Sequence, residues 1–375
     1  MTDAEHLRRG TASLESLRGA AVPKNHNART IAALTANPGC SRRAVMDAAG
    51  IDKERMAAHV GFPGRFGQSQ FAITRGNAFE AQLKANGCAE LLALLRKVLG
   101  LSIPEASYDD LESVEQVDAR AARSRQLLTR AASGEEEAGT LFDHPLLRLE
   151  VGGRWVYLEP DLIALQYGGK FYVVEIKSFA VIDGQADGTK VSAAATQAAV
   201  YVLALRRLLA EAGHDPELVS HDVVLVCPEN FSNRPTGTLV DVRKKLLVLE
   251  RQLARMRRVD TILETVAPDL TFDLAVDDAG VPRRPVAELV DGLGQLDARY
   301  SPECLAHCEL SFFCRHEARG TTTTLGKSVR EELGGVSSVD LALSLASGEV
   351  EPTEEQAEAA AMLRFAARLR AECGR

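Results

Sequence analysis

The chain has 375 residues, of which 46% are hydrophobic and 26% charged, and its formal net charge is −8 at pH 7. That length exceeds what one hydrophobic core usually serves, so a main domain with appended helical pieces is expected. The acidic balance excludes a global nucleic-acid signature, and any surface for DNA must be a local basic patch.

Apolar stretches are broken by Gln, Thr or charge short of a membrane span. The first residues, with Asp3 and Glu5, lack an apolar signal core. A cytoplasmic protein with no membrane partner is therefore expected. Seven cysteines at irregular spacing favour metal ligation over disulfides.

In chain order, residues 1–28 read as a polar, mobile lead-in. Residues 29–36 and 41–49 read as short helices around Cys40, with Pro38-Gly39 as punctuation. The spacing of Phe79, Leu83, Leu91, Leu92 and Leu95 predicts a helix over 76–99. A charged helix is expected over 109–132, ending at Ser133-Gly134, and Glu135 to Glu137 reads as a solvated loop. Leu146 to Val151 and Trp155 to Leu158 flank Gly152-Gly153, a two-residue hairpin signal. Asp161 to Gln166 and Phe171 to Ile176 flank a second turn at Gly168-Gly169. A helix over 191–212, a buried strand over 221–227, a strand over 238–242 and a basic helix over 243–264 follow. The order helix, three strands, helix, strand is that of an α/β domain. Residues 321–375 read as two or three amphipathic helices after a Thr-rich linker. Within that linker, Gly320 to Ser328 looks like a phosphate-binding loop. It has one residue too many between its glycines and follows no apolar strand, so it reads as a linker.

Two sets of residues carry chemistry. Asp161 starts one strand of the second hairpin and Glu175 ends the other, which can set both carboxylates side by side at a sheet edge. Lys177 lies two residues on and shares a face with Glu175, leaving the Ile176 carbonyl as a further ligand. Carboxylates and a carbonyl suit Mg²⁺ or Mn²⁺, and a nearby lysine can orient water and counter charge on a phosphodiester. Gln197 and Tyr201 follow at i,i+4 spacing on one helical face, and Glu80 supplies another acid early in a helix. The second set is Cys40 with Cys304, Cys308 and Cys314, spaced C-x3-C-x5-C beside Phe312 and Phe313. Four thiolates can close a [4Fe–4S] cluster. Alternatively, Cys304, Cys308 and Cys314 with His307 or His316 make a zinc site without Cys40. Cys88 and Cys227 read as buried apolar residues and Cys373 as a tail thiol.

These motifs, in this order, resemble the RecB-like branch of the PD-(D/E)XK nuclease superfamily over roughly residues 37–318. The split of one upstream and three downstream cysteines is similar to that branch's iron–sulfur members, among them the AddB nuclease domain and CRISPR-associated RecB-like exonucleases. The resemblance implies a restriction-endonuclease-like core, a central mixed sheet flanked by helices, over 29–320 and closed by the cluster. It implies Glu80, Asp161 and Glu175 as metal ligands, Lys177 as the catalytic lysine, and Gln197 and Tyr201 as contacts to the DNA backbone or nucleophile. Two features depart from the family: many members have His where Glu80 stands, and the first clustered cysteines are commonly one residue closer. The implied activity is metal-dependent cleavage of single-stranded DNA or DNA ends, in repair or defence, with a helicase or other subunits as partners. A non-catalytic DNA-binding or assembly subunit is the other reading.

The strongest basic stretch runs from Arg243 and Lys244 through Arg251, Arg255 and Arg258. Leu246, Leu249, Leu253 and Met256 recur at helical spacing, so one face packs and the other is cationic. A solvated surface helix and a groove wall for DNA phosphates both fit that pattern.

Overall fold

The computed structural model describes residues 14–64, 70–100, 107–135, 140–166, 170–230, 232–256, 263–264, 267 and 269–373. They form two compact units. The first holds 24–35 and the described part of 67–260; the second holds 14–23, 36–64 and the described part of 261–373.

The first unit begins with helix α1 (Ala28–Ala33), capped at Asn27, where Asn27 and Thr30 exchange side chain-to-backbone hydrogen bonds at 2.9 Å each. Helix α2 (Gln70–Leu99) contains the expected 76–99 segment, but its backbone leaves the helix at Ala85 to Cys88. Asn86, Gly87 and Cys88 all have positive φ. Asn-Gly takes the left-handed region at least cost, which interrupts a run that apolar spacing alone reads as continuous.

Strand β1 (Tyr108–Asp110) and helix α3 (Val117–Ala132) replace the single helix expected over 109–132. The Asp110 carboxylate accepts the Glu112 N–H at 2.9 Å, and this local turn competes with helix before residue 117. Then come β2 (Leu141–Asp143), β3 (Leu147–Val151), β4 (Arg154–Leu158), β5 (Leu162–Gln166) and β6 (Lys170–Ile176). Helix α4 (Gly188–Glu211), β7 (Asp222–Pro228), β8 (Pro235–Asp241) and α5 (Arg243–Met256) complete the unit. The Gly168-Gly169 turn, Glu136, Glu137 and the basic helix's stretch over 257–262 lie outside the described residues.

Six strands make one sheet in the order β1-β2-β5-β6-β7-β8. It is mixed: β1 runs parallel to β2 and β6 to β7, whereas the other neighbours are antiparallel. The β3–β4 hairpin forms at Gly152 and Gly153, both at positive φ, but stands as its own two-stranded sheet. Strand alternation divides the main sheet into two faces. Leu162, Ala164, Val174, Ile176, Val224 and Val226 pack against Phe79, Leu83, Leu91 and Leu95 of α2. Leu225 and Cys227 face the other way, towards Ala194 of α4. The architecture is α/β, a central mixed sheet flanked by helices.

Helix α4 corrects one expectation. By length and composition it is apolar enough to cross a membrane, although most of that window is buried inside the protein. Its charges lie near the ends, at Lys190, Arg206, Arg207 and Glu211, and leave a long neutral middle that serves the core.

The second unit carries Cys40, Cys304, Cys308 and Cys314. Helices Ser41–Ala49, Lys53–His59 and Val286–Gly294 accompany the short helices Cys304–His307 and Ser311–Glu317. Among the described residues beyond 320, three α-helices follow the Thr-rich stretch: Lys327–Glu332, Val339–Ser347 and Ala357–Cys373. Leu333, Val336, Leu345 and Ala360 form their shared core.

Candidate active site and cysteine site

The β5–β6 hairpin brings Asp161, Glu175 and Lys177 together. Its ladder starts at Leu162 opposite Val174, so Asp161 lies just before the first pair, Glu175 just beyond it and Ile176 one residue further. The Ile176 N–H, which has no strand partner on that side, donates to Asp161 Oδ2 at 2.7 Å. Val174 and Ile176 enter the α2-facing core, which turns Glu175 to the opposite face. Glu175 is 0% exposed, and its Oε1 is ion-paired with Lys177 Nζ. Its Oε2 is buried with no hydrogen-bond partner among the described residues.

The electrostatics follow from a buried and a half-buried carboxylate sharing one lysine. Burial, reinforced by the Asp161 charge, pushes the Glu175 carboxyl up to about 8 despite Lys177. Burial also raises Asp161, with Lys177 opposing and Glu80 adding to the rise. Lys177 is raised in turn, because Glu175 and Asp161 outweigh its desolvation. The trio carries an uncompensated negative charge when fully ionised, and a proton or a cation relieves it.

Gln197 and Tyr201 stand on one face of α4, with Gln197 Nε2 donating to the Tyr201 hydroxyl at 3.2 Å. Burial and then the Glu175 charge raise the Tyr201 phenol, which places it on the Glu175 side of the sheet.

Glu80 stands within electrostatic reach of Asp161 and Glu175, and it belongs to a network that the sequence analysis missed. Lys84 Nζ lies 2.5 Å from Glu80 Oε1 and 2.5 Å from Asp143 Oδ1. His144 reaches Glu80 Oε1 at 3.3 Å through Nε2 and Asp143 Oδ1 at 3.1 Å through Nδ1. The Tyr108 hydroxyl donates to Asp143 Oδ2. Although burial works against it, His144 is raised to about 10 by its hydrogen bonds with Asp143 and Glu80. Against the same burial cost, His144, Lys84 and Tyr108 hold Asp143 down at about 2. The Glu80–Lys84 spacing was a legible i,i+4 pair. Asp143 and Tyr108 sit on three-residue strands too short to show a period.

In the second unit, Asn37 Nδ2 donates to Cys304 Sγ at 3.2 Å and Arg42 Nη1 to Cys314 Sγ at 3.3 Å. Cys40 lies between these two anchors, at the N-cap of Ser41–Ala49. Three buried cations surround the sulfurs. Arg42 forms a two-point pair with Glu317, Arg43 pairs with Asp47 at 3.2 Å, and Lys53 pairs with Asp47 and with Glu309 at 3.2 Å. Burial pushes the Cys308 thiol up to about 11 and Cys314 up to about 12, while Lys53, Arg43 and Arg42 pull the other way. A cavity of about 990 Å³ lined by Asn37, Arg42, Arg299, Cys314 and Arg330 opens beside them. His316 stacks on Phe62 at 5.0 Å between ring centres. All seven cysteines are free, with Cys88 and Cys227 buried and Cys373 exposed, as expected.

A further group was not foreseen. Among the described residues, His221, Asp222 and Asp241 bring three ligand atoms within 4.8 Å of one another and can chelate a metal ion. Asp222 and Asp241 are directly paired in the β7–β8 ladder. Arg243 donates to Asp241 through Nε at 2.8 Å and holds its carboxyl down at about 2.

Helix α5 buries Leu246, Leu249, Leu253 and Met256, as its spacing predicts. Arg243, Lys244, Arg251 and Arg255 lie on the exposed side, together with Leu247, Val248 and Glu250, so that face is mixed and not purely cationic. Lys245 is turned inward and donates to Ser192 at 2.9 Å and Thr196 at 2.8 Å. Arg258 lies outside the described residues.

Comparison of the chain with protein-family models, with curated proteins and with solved structures finds no match in any of the three.

Proposed function

We propose that the chain is a divalent-cation-dependent deoxyribonuclease with a PD-(D/E)XK core of the RecB-like kind. The observation that carries this reading is the buried Glu175 carboxylate, with one oxygen on Lys177 and the other unsatisfied, beside the half-buried Asp161. A hard cation fits that donor set: two carboxylates and, past the end of the ladder, the Ile176 carbonyl. Bound Mg²⁺ or Mn²⁺ supplies an activated water and neutralises charge at the phosphate. Lys177 holds its ammonium next to Glu175, where it can orient a water and meet charge that develops on the phosphate. Gln197 and Tyr201 offer polar groups to the DNA backbone from the same side.

The proposal includes a [4Fe–4S] cluster on Cys40, Cys304, Cys308 and Cys314. Hydrogen bonds from Asn37 and Arg42 to cysteine sulfur, with Arg43 and Lys53 nearby, suit a group rich in thiolate charge and support that reading.

DNA is the proposed partner, with a helicase or other repair or defence subunits in a cytoplasmic complex. Incubating the protein with end-labelled single- and double-stranded DNA and Mg²⁺ or Mn²⁺ tests the activity. Cleavage that EDTA abolishes is expected; tight binding with no cleavage of any substrate would establish the non-catalytic subunit instead.

If α5 lines the DNA path, replacing Lys244, Arg251 and Arg255 together with Ala weakens binding to all sequences alike. Each lost phosphate contact lowers the log–log salt slope by about 0.9 on duplex or about 0.7 on single strands. Arg243 contributes less, because Asp241 already engages its guanidinium. Unchanged affinity and slope in a filter-binding series across salt would make α5 a solvated face.

A further inference from the structure

The geometry points to Lys84 as a built-in cation that fills one of two cation positions, leaving Asp161 and Glu175 to hold a single divalent ion. This inference rests on the cation-dependent reading above. Lys84 Nζ is held by Glu80 Oε1 at 2.5 Å, Asp143 Oδ1 at 2.5 Å and the Asp161 carbonyl oxygen at 3.4 Å, and it also lies 3.1 Å from His144 Nδ1. Two carboxylates and a carbonyl are the donor set that a hard metal ion takes. Here an ammonium, only 11% exposed, occupies it. Lys84 stands one residue before the backbone turns out of the helix at Ala85.

Charge balance supports the division. Glu80 and Asp143 are both ion-paired with Lys84, and His144 stands against both of them as well. A divalent ion added there would leave buried positive charge without a partner. Among the described residues, Lys177 is ion-paired with Glu175 and its charge also acts on Asp161, Lys84 acts more weakly on Asp161, and Glu175 keeps an unsatisfied oxygen. The Asp161 residue joins the two halves, with its carbonyl towards Lys84 and its carboxylate on the Ile176 N–H towards Glu175. Glu80 is then a partner of the lysine and not a metal ligand, which differs from the role that the resemblance implies for it.

The test counts Mn²⁺ bound by the full chain, every protein including wild type carrying Asp222→Asn and Asp241→Asn so that the His221 group adds no ion, using isothermal titration and the electron paramagnetic resonance signal of free Mn²⁺. Wild type is expected to bind one ion per chain, Glu175→Gln none, and Glu80→Gln still one. Lys84→Met, checked for folding by circular dichroism, is expected to bind two, because it vacates the oxygen cage. Two ions on wild type, loss of the ion in Glu80→Gln, or one ion on folded Lys84→Met would each overturn the inference while leaving the cation-dependent reading intact. No ion on wild type, or binding untouched by Glu175→Gln, would overturn both. The wild-type and Glu80→Gln counts decide the matter even if Lys84→Met fails to fold.

Discussion

Asp161→Ala, Glu175→Ala and Lys177→Ala are each expected to lower DNA cleavage by about a hundredfold to a thousandfold or more, while circular dichroism and DNA binding stay close to wild type. The size of the effect follows from the roles proposed for these groups. In that reading they hold the cation or face charge that exists only as the phosphate reacts, so removing one leaves ground-state contacts to DNA in place. Because they act as a unit, the double variant Asp161→Ala/Lys177→Ala loses little more than either single one. Three variants that cleave at the wild-type rate under matched Mn²⁺ would remove this site from the mechanism.

The same site predicts a pH signature. Without a cation, burial and the Asp161 charge keep Glu175 protonated up to about 8, against an ordinary value of 4.5. Between those values the folded state retains a proton that the unfolded chain has lost. This group's contribution to stability therefore falls as pH rises through that window and is flat on either side. A cation replaces the proton, so Mn²⁺ affinity rises with pH up to about 8 and then levels. The thermal stabilisation by Mn²⁺ is accordingly larger at about pH 8 than at about pH 6, and Glu175→Gln flattens the difference. An equal gain in Tm at both pH values would contradict the placement of Glu175 as the proton-linked ligand.

Anaerobically purified protein is expected to be brown and to carry about four iron atoms per chain, as one [4Fe–4S] cluster requires. Cys40→Ala is expected to lose the colour and to unfold at a markedly lower temperature. Cys40 is far in sequence from Cys304, Cys308 and Cys314, so its bond to the cluster closes a long loop and constrains the unfolded chain. Losing the cluster also leaves Arg42, Arg43 and Lys53 buried beside neutral thiols, with only their acidic partners to offset the desolvation. A colourless protein with one zinc, indifferent to Cys40→Ala, would establish Cys304, Cys308 and Cys314 with His307 or His316 as the site.

Sequence by itself determined the features that rest on short-range periodicity. Alternation along β6 put Glu175 and Lys177 on one face, and the structure pairs them. The i,i+4 spacing of Gln197 and Tyr201 predicted a shared helical face, and the two side chains are hydrogen-bonded across it. The glycine pair at 152–153 marked a hairpin, which forms. Leu246, Leu249, Leu253 and Met256 named the buried side of α5. In each case the signal spans a few residues, and backbone geometry alone converts spacing into direction.

Tertiary structure decided what depends on pairing between distant segments. The three-residue strands β1 and β2 exist because they join a sheet whose other members lie elsewhere in the chain, and no period of two is visible in so short a run. Their pairing carries Tyr108, Asp143 and His144 to Lys84 and so engages Glu80, which sequence offered only as an acid on a helix. Asp241 meets Asp222 only through the β7–β8 register. Asn37 and Arg42 reach sulfurs more than two hundred residues away. Local propensity contains none of these meetings, because burial against partners remote in the chain selects them and the selection is made only when the sheet and the cysteine unit close.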